Sequence, residues 1–377
     1  MKIFSCPECA QVVFFENQSC VRCGSLLAFV PEKRAMLALE SEPVDPTAAS
    51  PRHRVRSRDG SAAAGGLAAV SLCINRVRYG VCNGVVEDAS TDCLCSSCRF
   101  TKIVPDPGSP EVVEKWIRLE GAKRRLLYAF DTLGLDVRPL NEGEPGGLSF
   151  AFLQPSEDGA RVVTGHADGL ITVDLSEADE VHRAKTKSDL GEPYRTLLGH
   201  LRHESGHYFW DRLVRNDGGL LGTFRGLFGD ERADYAASLD RHYAHGAPSG
   251  WEQTHVSAYA TMHPWEDWAE TWAHYLHIVD TLETASAYGL ALQPHVVGGS
   301  PAEHLAVSDW SPSDFDDLYK AWVPVTMALN SFNRGMGLSD LYPFVLAAPA
   351  VEKLRFVHAV VRGAADAGGA TAERGAS

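Results

Sequence analysis

The run Leu197–Leu213, LLGHLRHESGHYFWDRL, constrains this chain more than any other, because it holds His203, Glu204 and His207 in H-E-x-x-H spacing. Residues four apart on an α-helix share a face, so a helix here turns both imidazoles toward one point where a metal ion can sit. Glu204 projects from the next position round, where its carboxylate addresses a water on that metal rather than the metal itself. Two imidazoles beside a carboxylate base are the local equipment of zinc hydrolases. An ordinary amphipathic helix can carry the same residues by coincidence. The weight therefore falls on whether the chain supplies a third protein ligand, which a catalytic zinc site requires.

Cysteine spacing is the second constraint. Cys6-Pro-Glu-Cys9 and Cys20-Val-Arg-Cys23 are two C-x-x-C knuckles, and Gly24 suits the left-handed turn that follows such a knuckle. Two knuckles complete a tetrahedral four-thiolate site, so residues 1–40 are expected to form a structural zinc ribbon. A redox C-x-x-C would need one pair in a βαβ context, which this stretch lacks. Residues 41–66 are rich in Pro, Ala, Ser, Gly and Arg without hydrophobic period, and read as a flexible linker. Its Arg52, Arg54, Arg56 and Arg58 could touch an acidic partner. Residues 67–105 hold Cys73, Cys82, Cys93, Cys95 and Cys98, enough for a second four-thiolate zinc site from Cys73, Cys82, Cys95 and Cys98. Cys93 stands as an alternative to Cys95.

Composition sets the outer limits. The 377 residues can bury a sizeable core in two or three domains. No apolar run reaches spanning length and the chain opens without a signal-like segment, so the expectation is a soluble, cytoplasmic protein with no membrane partner. Residues 1–100 carry 11 Lys/Arg against 10 Asp/Glu and the rest 24 against 39, so the excess acid behind the net −14 lies in the segment holding the H-E-x-x-H. That balance argues against nucleic-acid binding.

From Glu111 apolar residues recur at three- and four-residue steps to Gly134, predicting a helix. Leu148–Leu153 and Arg161–Leu175 alternate around Asp158-Gly159 and Asp168-Gly169, which predicts a small antiparallel sheet just before the H-E-x-x-H helix. Glu192-Pro193 reads as that helix's start. A sheet edge beside such a helix can hold an extended peptide by strand addition.

The stretch Tyr259–His277, YATMHPWEDWAETWAHYLH, offers the third ligand. Pro264 marks a helix start. Trp265, Trp268 and Trp272 share a face read as core, and Glu266 and Glu270 lie four apart beside it. This pairing resembles the gluzincin metallopeptidases, where a Glu begins the third-ligand helix and an acid four positions on orients a ligand His. The resemblance makes Glu266 the zinc ligand and Glu270 the acceptor of an imidazole hydrogen bond; helical geometry alone also permits the reverse. In gluzincins of the lethal-factor and Pro-Pro-endopeptidase kind a Tyr seven residues before that Glu stabilises the oxyanion, a role that falls here on Tyr259. His255, His263, His274 and His277 are nearby alternatives. Glu231, read as lying in the first turn of a helix capped by Gly229 and Asp230, is a further alternative ligand. Later, Ser311–Asp314 reads as the cap of a helix reaching about Asn330, another helix covers Ala350–Val361, and residues 363–377 are expected to be disordered.

Residues 1–365 resemble a bacterial family of zinc-binding metallopeptidases with an N-terminal zinc ribbon. The resemblance rests on CPECAQVVFFENQSCVRCG, GVCN, CSSCRF, AKRRLLYAFDTLGL, GHLRHESGHYFWDRLV, FGDERADYAASLDRHY, HPWEDWAETWAHYLH, NSFNRG and LYPFVL. It implies an α+β chain in which the ribbon modules precede a mainly helical zincin-like domain over 106–362. One catalytic and two structural zinc ions are then expected, with Glu204 as general base and a peptide or protein as substrate. The ribbons would be structural or recruit a protein partner. The rival from another class is a non-catalytic adaptor on the same scaffold, against which the intact Glu204 counts.

Overall fold

A computed structural model describes residues 2–41, 52–56, 67–87, 93–141, 145–155, 162–190, 195–294, 305–307 and 313–375. In the N-terminal region the first two strands, β1 (Phe4–Ser5) and β2 (Val12–Val13), form a hairpin whose connection is the first cysteine knuckle, Cys6–Cys9. The next five, β3 (Leu26–Val30), β4 (Ala35–Ser41), β5 (Arg52–Arg56), β6 (Ala69–Leu72) and β7 (Val85–Val86), make one antiparallel meander in sequence order. A bond from Phe29 N to Asn83 O (3.1 Å) brings its two ends together. Alternation sorts this sheet. Leu27, Phe29, Met36 and Ala38 face the hairpin, while Ala28, Val30, Leu37, Leu39, Val70 and Leu72 face one another.

The meander corrects the expectation of a flexible linker at residues 52–56; residues 42–51 and 57–66 lie outside the described residues. Arg52–Arg56 pairs with β4 on one side and β6 on the other. It alternates exposed arginine with the buried His53 and half-buried Val55. Two inward residues are too few to register as a hydrophobic period, yet strand pairing on both sides holds them. The two cysteine modules are therefore joined by one sheet. The short α1 (Ile74–Tyr79) follows β6.

Helix α2 (Pro110–Leu133) runs as the spacing predicts. Ser109 caps it by accepting from Val112 N (3.3 Å), Pro110 fits the first turn, and Gly134 ends it in the left-handed conformation. Its buried Trp116, Leu119, Leu126 and Phe130 enter the main core. Tyr128 turns the other way and packs with Phe15 and Phe29, tying α2 to the N-terminal sheet. Arg34 Nε–Asp131 Oδ2 (2.5 Å) and Arg125 Nε–Glu16 Oε1 (2.5 Å) brace the same seam.

A second sheet holds β8 (Thr101–Ile103), β9 (Ser149–Leu153), β10 (Gly165–Ala167) and β11 (Leu170–Asp174) in the order β10-β11-β9-β8. It is mixed rather than antiparallel. The β10–β11 hairpin turns at Asp168-Gly169 as expected, but β11 returns between β10 and β9 and so runs parallel to β9, as β9 does to β8. Asp158-Gly159 lies outside the described residues.

The remaining helices are α3 (Glu180–Leu190), α4 (Leu197–Phe209), α5 (Gly218–Phe228), α6 (Tyr235–His245), α7 (Pro264–Ala287), α8 (Phe315–Gly335) and α9 (Ala348–Gly375). Helix α4 starts at Leu197, with Thr196 Oγ1 accepting from Gly199 N (3.0 Å), rather than at Glu192-Pro193, which lies outside the described residues. The cap of α6 is Asp234, not Gly229-Asp230; its carboxylate reaches Ala237 N (3.0 Å), as an N-cap side chain must. Asp314 itself caps α8 rather than lying in its first turn, where Asp316 and Asp317 stand, while Ser311 and Pro312 lie outside the described residues. The segment from 363, expected to be disordered, continues α9 to Gly375; its alanines are strong helix formers extending an already packed helix. No helix among the described residues is long and apolar enough to cross a membrane.

Candidate metal centres

Four thiols meet at each of two N-terminal sites. Cys6, Cys9, Cys20 and Cys23 form one group and Cys73, Cys82, Cys95 and Cys98 the other, each with its sulfurs within 4.8 Å of one another. Cys6 Sγ–Cys23 Sγ is 3.7 Å and Cys9 Sγ–Cys20 Sγ 3.6 Å. Tetrahedral zinc with bonds of about 2.3 Å places its sulfurs about 3.8 Å apart. A disulfide would bring them to about 2 Å. The donor set thus fits zinc. In the second group all four cysteines are buried, and Cys93 stands outside it, its carbonyl accepting from Ile74 N (2.8 Å). Gly84 makes room for this group, since a Cβ there would stand 2.4 Å from Cys95 Sγ.

The third group lies between α4 and α7. These helices cross where Gly206 meets Ala269 and Trp272; a Cβ at Gly206 would be 2.9 Å from Ala269 Cα. Trp268 Nε1 donates to Gly206 O (2.8 Å) and Trp272 Nε1 to Ser205 Oγ (3.1 Å), so two of the three tryptophans lock the crossing from within the core. Trp265 instead covers His207, its ring 3.9 Å away. At the start of α4, Glu177 holds Arg195 (2.9 Å) and His200 (3.2 Å), pinning the helix to the end of the mixed sheet. These anchorings give α4 one azimuth and aim His203 and His207 at α7.

The first turn of α7 presents Glu266. Its Oε2 lies 2.9 Å from His203 Nε2 and its Oε1 3.4 Å from His207 Nε2. Bonds of about 2.0–2.1 Å at tetrahedral angles set nitrogen and oxygen ligands about 3.3–3.4 Å apart, so this trio has the size of a zinc site. Glu270 sits one turn on, behind the imidazole rather than in front of it. It accepts from His203 Nδ1 (2.6 Å) and from Ser257 Oγ (2.6 Å). A proton held on Nδ1 leaves the Nε2 lone pair facing Glu266.

Charge supports the same fit. Burial alone would lower the His203 pKa, but hydrogen bonds to Glu266 and Glu270 outweigh it and hold the pKa well above its ordinary value. Burial likewise opposes ionisation of both acids, yet the two imidazoles pull Glu266 well below the usual range and His203 pulls Glu270 down to about 2. A buried Glu266 and a half-buried Glu270 favour positive charge between them, as a protonated His203 or as a divalent cation. His207 Nδ1 is buried with no hydrogen-bond partner among the described residues.

Around this trio, Glu204 is half-buried on the next face of α4, and its charge reaches the Tyr235 hydroxyl. The Tyr259 ring stands 5.9 Å from that of His203, and burial followed by the Glu266 charge raises its pKa. The other candidates are engaged elsewhere. Glu231 is clamped by Arg225 (Nε–Oε2 2.9 Å), His263 caps α7, His274 meets the Tyr342 hydroxyl (2.5 Å), His277 meets Arg202 (2.5 Å), and His255 lies 3.6 Å from Asp267. Sequence reasoning missed Tyr235, whose hydroxyl donates to Glu266 Oε1 (3.0 Å), as well as Ser257 and His166. The His166 ring stacks 6.5 Å from that of His207, and burial, then the His207 charge, push its pKa down to about 4. Only the place of Tyr235, directly after a capping Asp, marked it locally.

Residues 112–360 match a family described as "Putative zinc-binding metallo-peptidase", and residues 3–108 match a zinc-ribbon domain. Uncharacterised proteins of Mycobacterium bovis and of two Mycobacterium tuberculosis strains are each 41% identical over 361 residues, covering 96% of this chain and 95% of theirs. No solved structure matches. The chain belongs to this zinc-binding metallopeptidase family, with its zinc-ribbon domain at the N-terminus.

Proposed function

We propose that this member of the family is an active zinc peptidase of gluzincin type. The observation that carries the reading is the carboxylate of Glu266 reaching toward Nε2 of both histidines, 2.9 and 3.4 Å away, with Glu204 on the same helix and outside that trio. His203, His207 and Glu266 are the ligands of the catalytic zinc, and Glu270 with Ser257 orients His203. When bound, the ion polarises the scissile carbonyl and acidifies the attacking water. Glu204 takes the proton of that water and returns it to the leaving amine, the base-then-acid task of a positioned carboxylate. Tyr259 donates to the developing oxyanion.

The substrate is an extended peptide. Strand β10 is the edge of its sheet and carries His166 against His207, so a peptide strand added there runs beside the metal helix. The two thiolate groups hold structural zinc, for three ions per chain, and the sheet β3–β7 links them into a ribbon region that can also engage a protein partner. Thiolate sites of this kind persist in a reducing compartment, which supports a cytoplasmic setting.

The test is Glu204→Gln at matched zinc content, assayed on a peptide library. The expected loss of turnover is about 10²–10⁴-fold with three zinc ions retained. Unchanged turnover overturns the mechanism, and the absence of cleavage by wild-type protein carrying three zinc ions favours the adaptor instead.

A further inference from the structure

The second of the two helices between α4 and α7 has a composition that its own packing does not explain. Helix α6 (Tyr235–His245) buries only Ser238, so the apolar burial that normally holds a surface helix is missing. Its start, by contrast, is firmly anchored. His263 Nδ1 accepts from Trp265 N (3.1 Å), which leaves the proton on Nε2, and Nε2–H donates to Ala233 O (3.0 Å). One imidazole thereby caps α7 and fastens the residues that precede α6. Tyr235 sits on this anchor, its ring 5.3 Å from that of His263 and 6.3 Å from that of Trp265.

Tyr235, Ser238 and His242 lie three and four residues apart and so share one face of α6. The first and last of them reach the candidate centre: the Tyr235 hydroxyl donates to Glu266 Oε1, and the His242 ring stands edge-on to Tyr259 at 5.7 Å. The contact at Glu266 has a definite consequence. A carboxylate with both oxygens unrestrained rotates about its last torsion and can offer either oxygen, or both, to a cation. Engaging Oε1 in a phenol hydrogen bond leaves Oε2, the atom nearest His203 Nε2, as the free donor.

We propose that Tyr235 is a positioning residue for the metal, fixing the carboxylate of Glu266, and that α6 serves to deliver it. This rests on the reading of His203, His207 and Glu266 as ligands. Outer hydrogen bonds to a metal ligand are worth about 10- to 100-fold in metal affinity, and the same scale applies here.

The test is Tyr235→Phe in the full chain, which keeps the ring contacts and removes only the hydroxyl. Zinc affinity is read by competition with a chromophoric chelator, alongside total zinc content and the melting temperature. The expected result is that one of three zinc ions binds about 10- to 100-fold more weakly while the other two and the melting curve of the metal-saturated protein are unchanged. With zinc in excess, kcat should fall with KM unchanged, a split that a merely structural role would not produce. A third ion bound as tightly in the variant as in the wild type overturns the proposal while leaving the ligand assignment intact. Wild-type protein that binds only two ions overturns the ligand assignment, and the proposal with it.

Discussion

Each thiolate group in the N-terminal region draws on a short span of chain, Cys6 and Cys23 being 17 positions apart, whereas His203 and Glu266 are 63 positions apart on two different helices. The difference extends to what surrounds them. Around Cys73, Cys82, Cys95 and Cys98 the buried cluster consists of the cysteines themselves, with Leu94 packed against it. Beneath His203 and His207 lies the main core, with Trp268 and Trp272 fully buried. In this second thiolate group the cysteines stand where a core would be, whereas beneath the histidine pair a finished core holds the candidate ligands out. Folding should depend on zinc in the ribbon and hardly at all at the H-E-x-x-H.

The largest effect expected from this contrast is at the ribbon. Binding of a structural zinc is worth on the order of 10–16 kcal/mol, so Cys82→Ser should unfold the second thiolate site. Rapid proteolysis confined to the N-terminal region, with helical circular dichroism kept, is the expected signature; equal loss in both regions would show that the core over α2 needs the ribbon. Next in size is Glu266→Gln, which should empty the third site, leaving two zinc ions per chain and an unchanged melting curve. Global unfolding of this variant would break the comparison.

Gly206→Ala tests the core's part in aiming the ligands. The added Cβ meets Ala269 Cα at 2.9 Å and Trp272 Cβ at 3.2 Å, so α4 and α7 must part. A destabilisation of about 1–3 kcal/mol in urea melts is expected together with weaker zinc binding at this site only. A wild-type zinc affinity in the destabilised variant would show that the crossing does not set ligand geometry.

The smallest effect concerns the anchor of α4. Burial would raise the Glu177 pKa, but His200 and then Arg195 bring it down to about 2. A depressed carboxylate contributes stability above its unfolded pKa, about 4.3, and loses it as pH falls through the folded value. Glu177→Gln should therefore cost roughly 1–3 kcal/mol at pH 7 and progressively less between pH 4 and pH 2. A pH-independent difference would mean that packing rather than charge holds this end of the helix.

Much of the site was legible locally. The cysteine knuckles, the i,i+4 histidines and the acids at Glu266 and Glu270 each lie within one or two turns of backbone, whose period alone sets their relation. Arg52–Arg56 was not legible as a strand, because its order comes from β4 and β6 on either side rather than from its own pattern. Nor was the direction of β9, which depends on β11 returning between it and β10.

By itself the amino-acid order determined that this chain holds two sets of paired thiols, a histidine pair on one helical face and a pair of acids on another. Only the tertiary structure decided that Glu266 faces both Nε2 atoms while Glu270 lies behind His203, that Cys95 rather than Cys93 joins its three partners, and that Tyr235 donates to Glu266. The physical reason is the same throughout. Backbone periodicity relates residues within one element, whereas the rotation and offset of one element against another come from packing, here a glycine and two tryptophans at the crossing of α4 and α7.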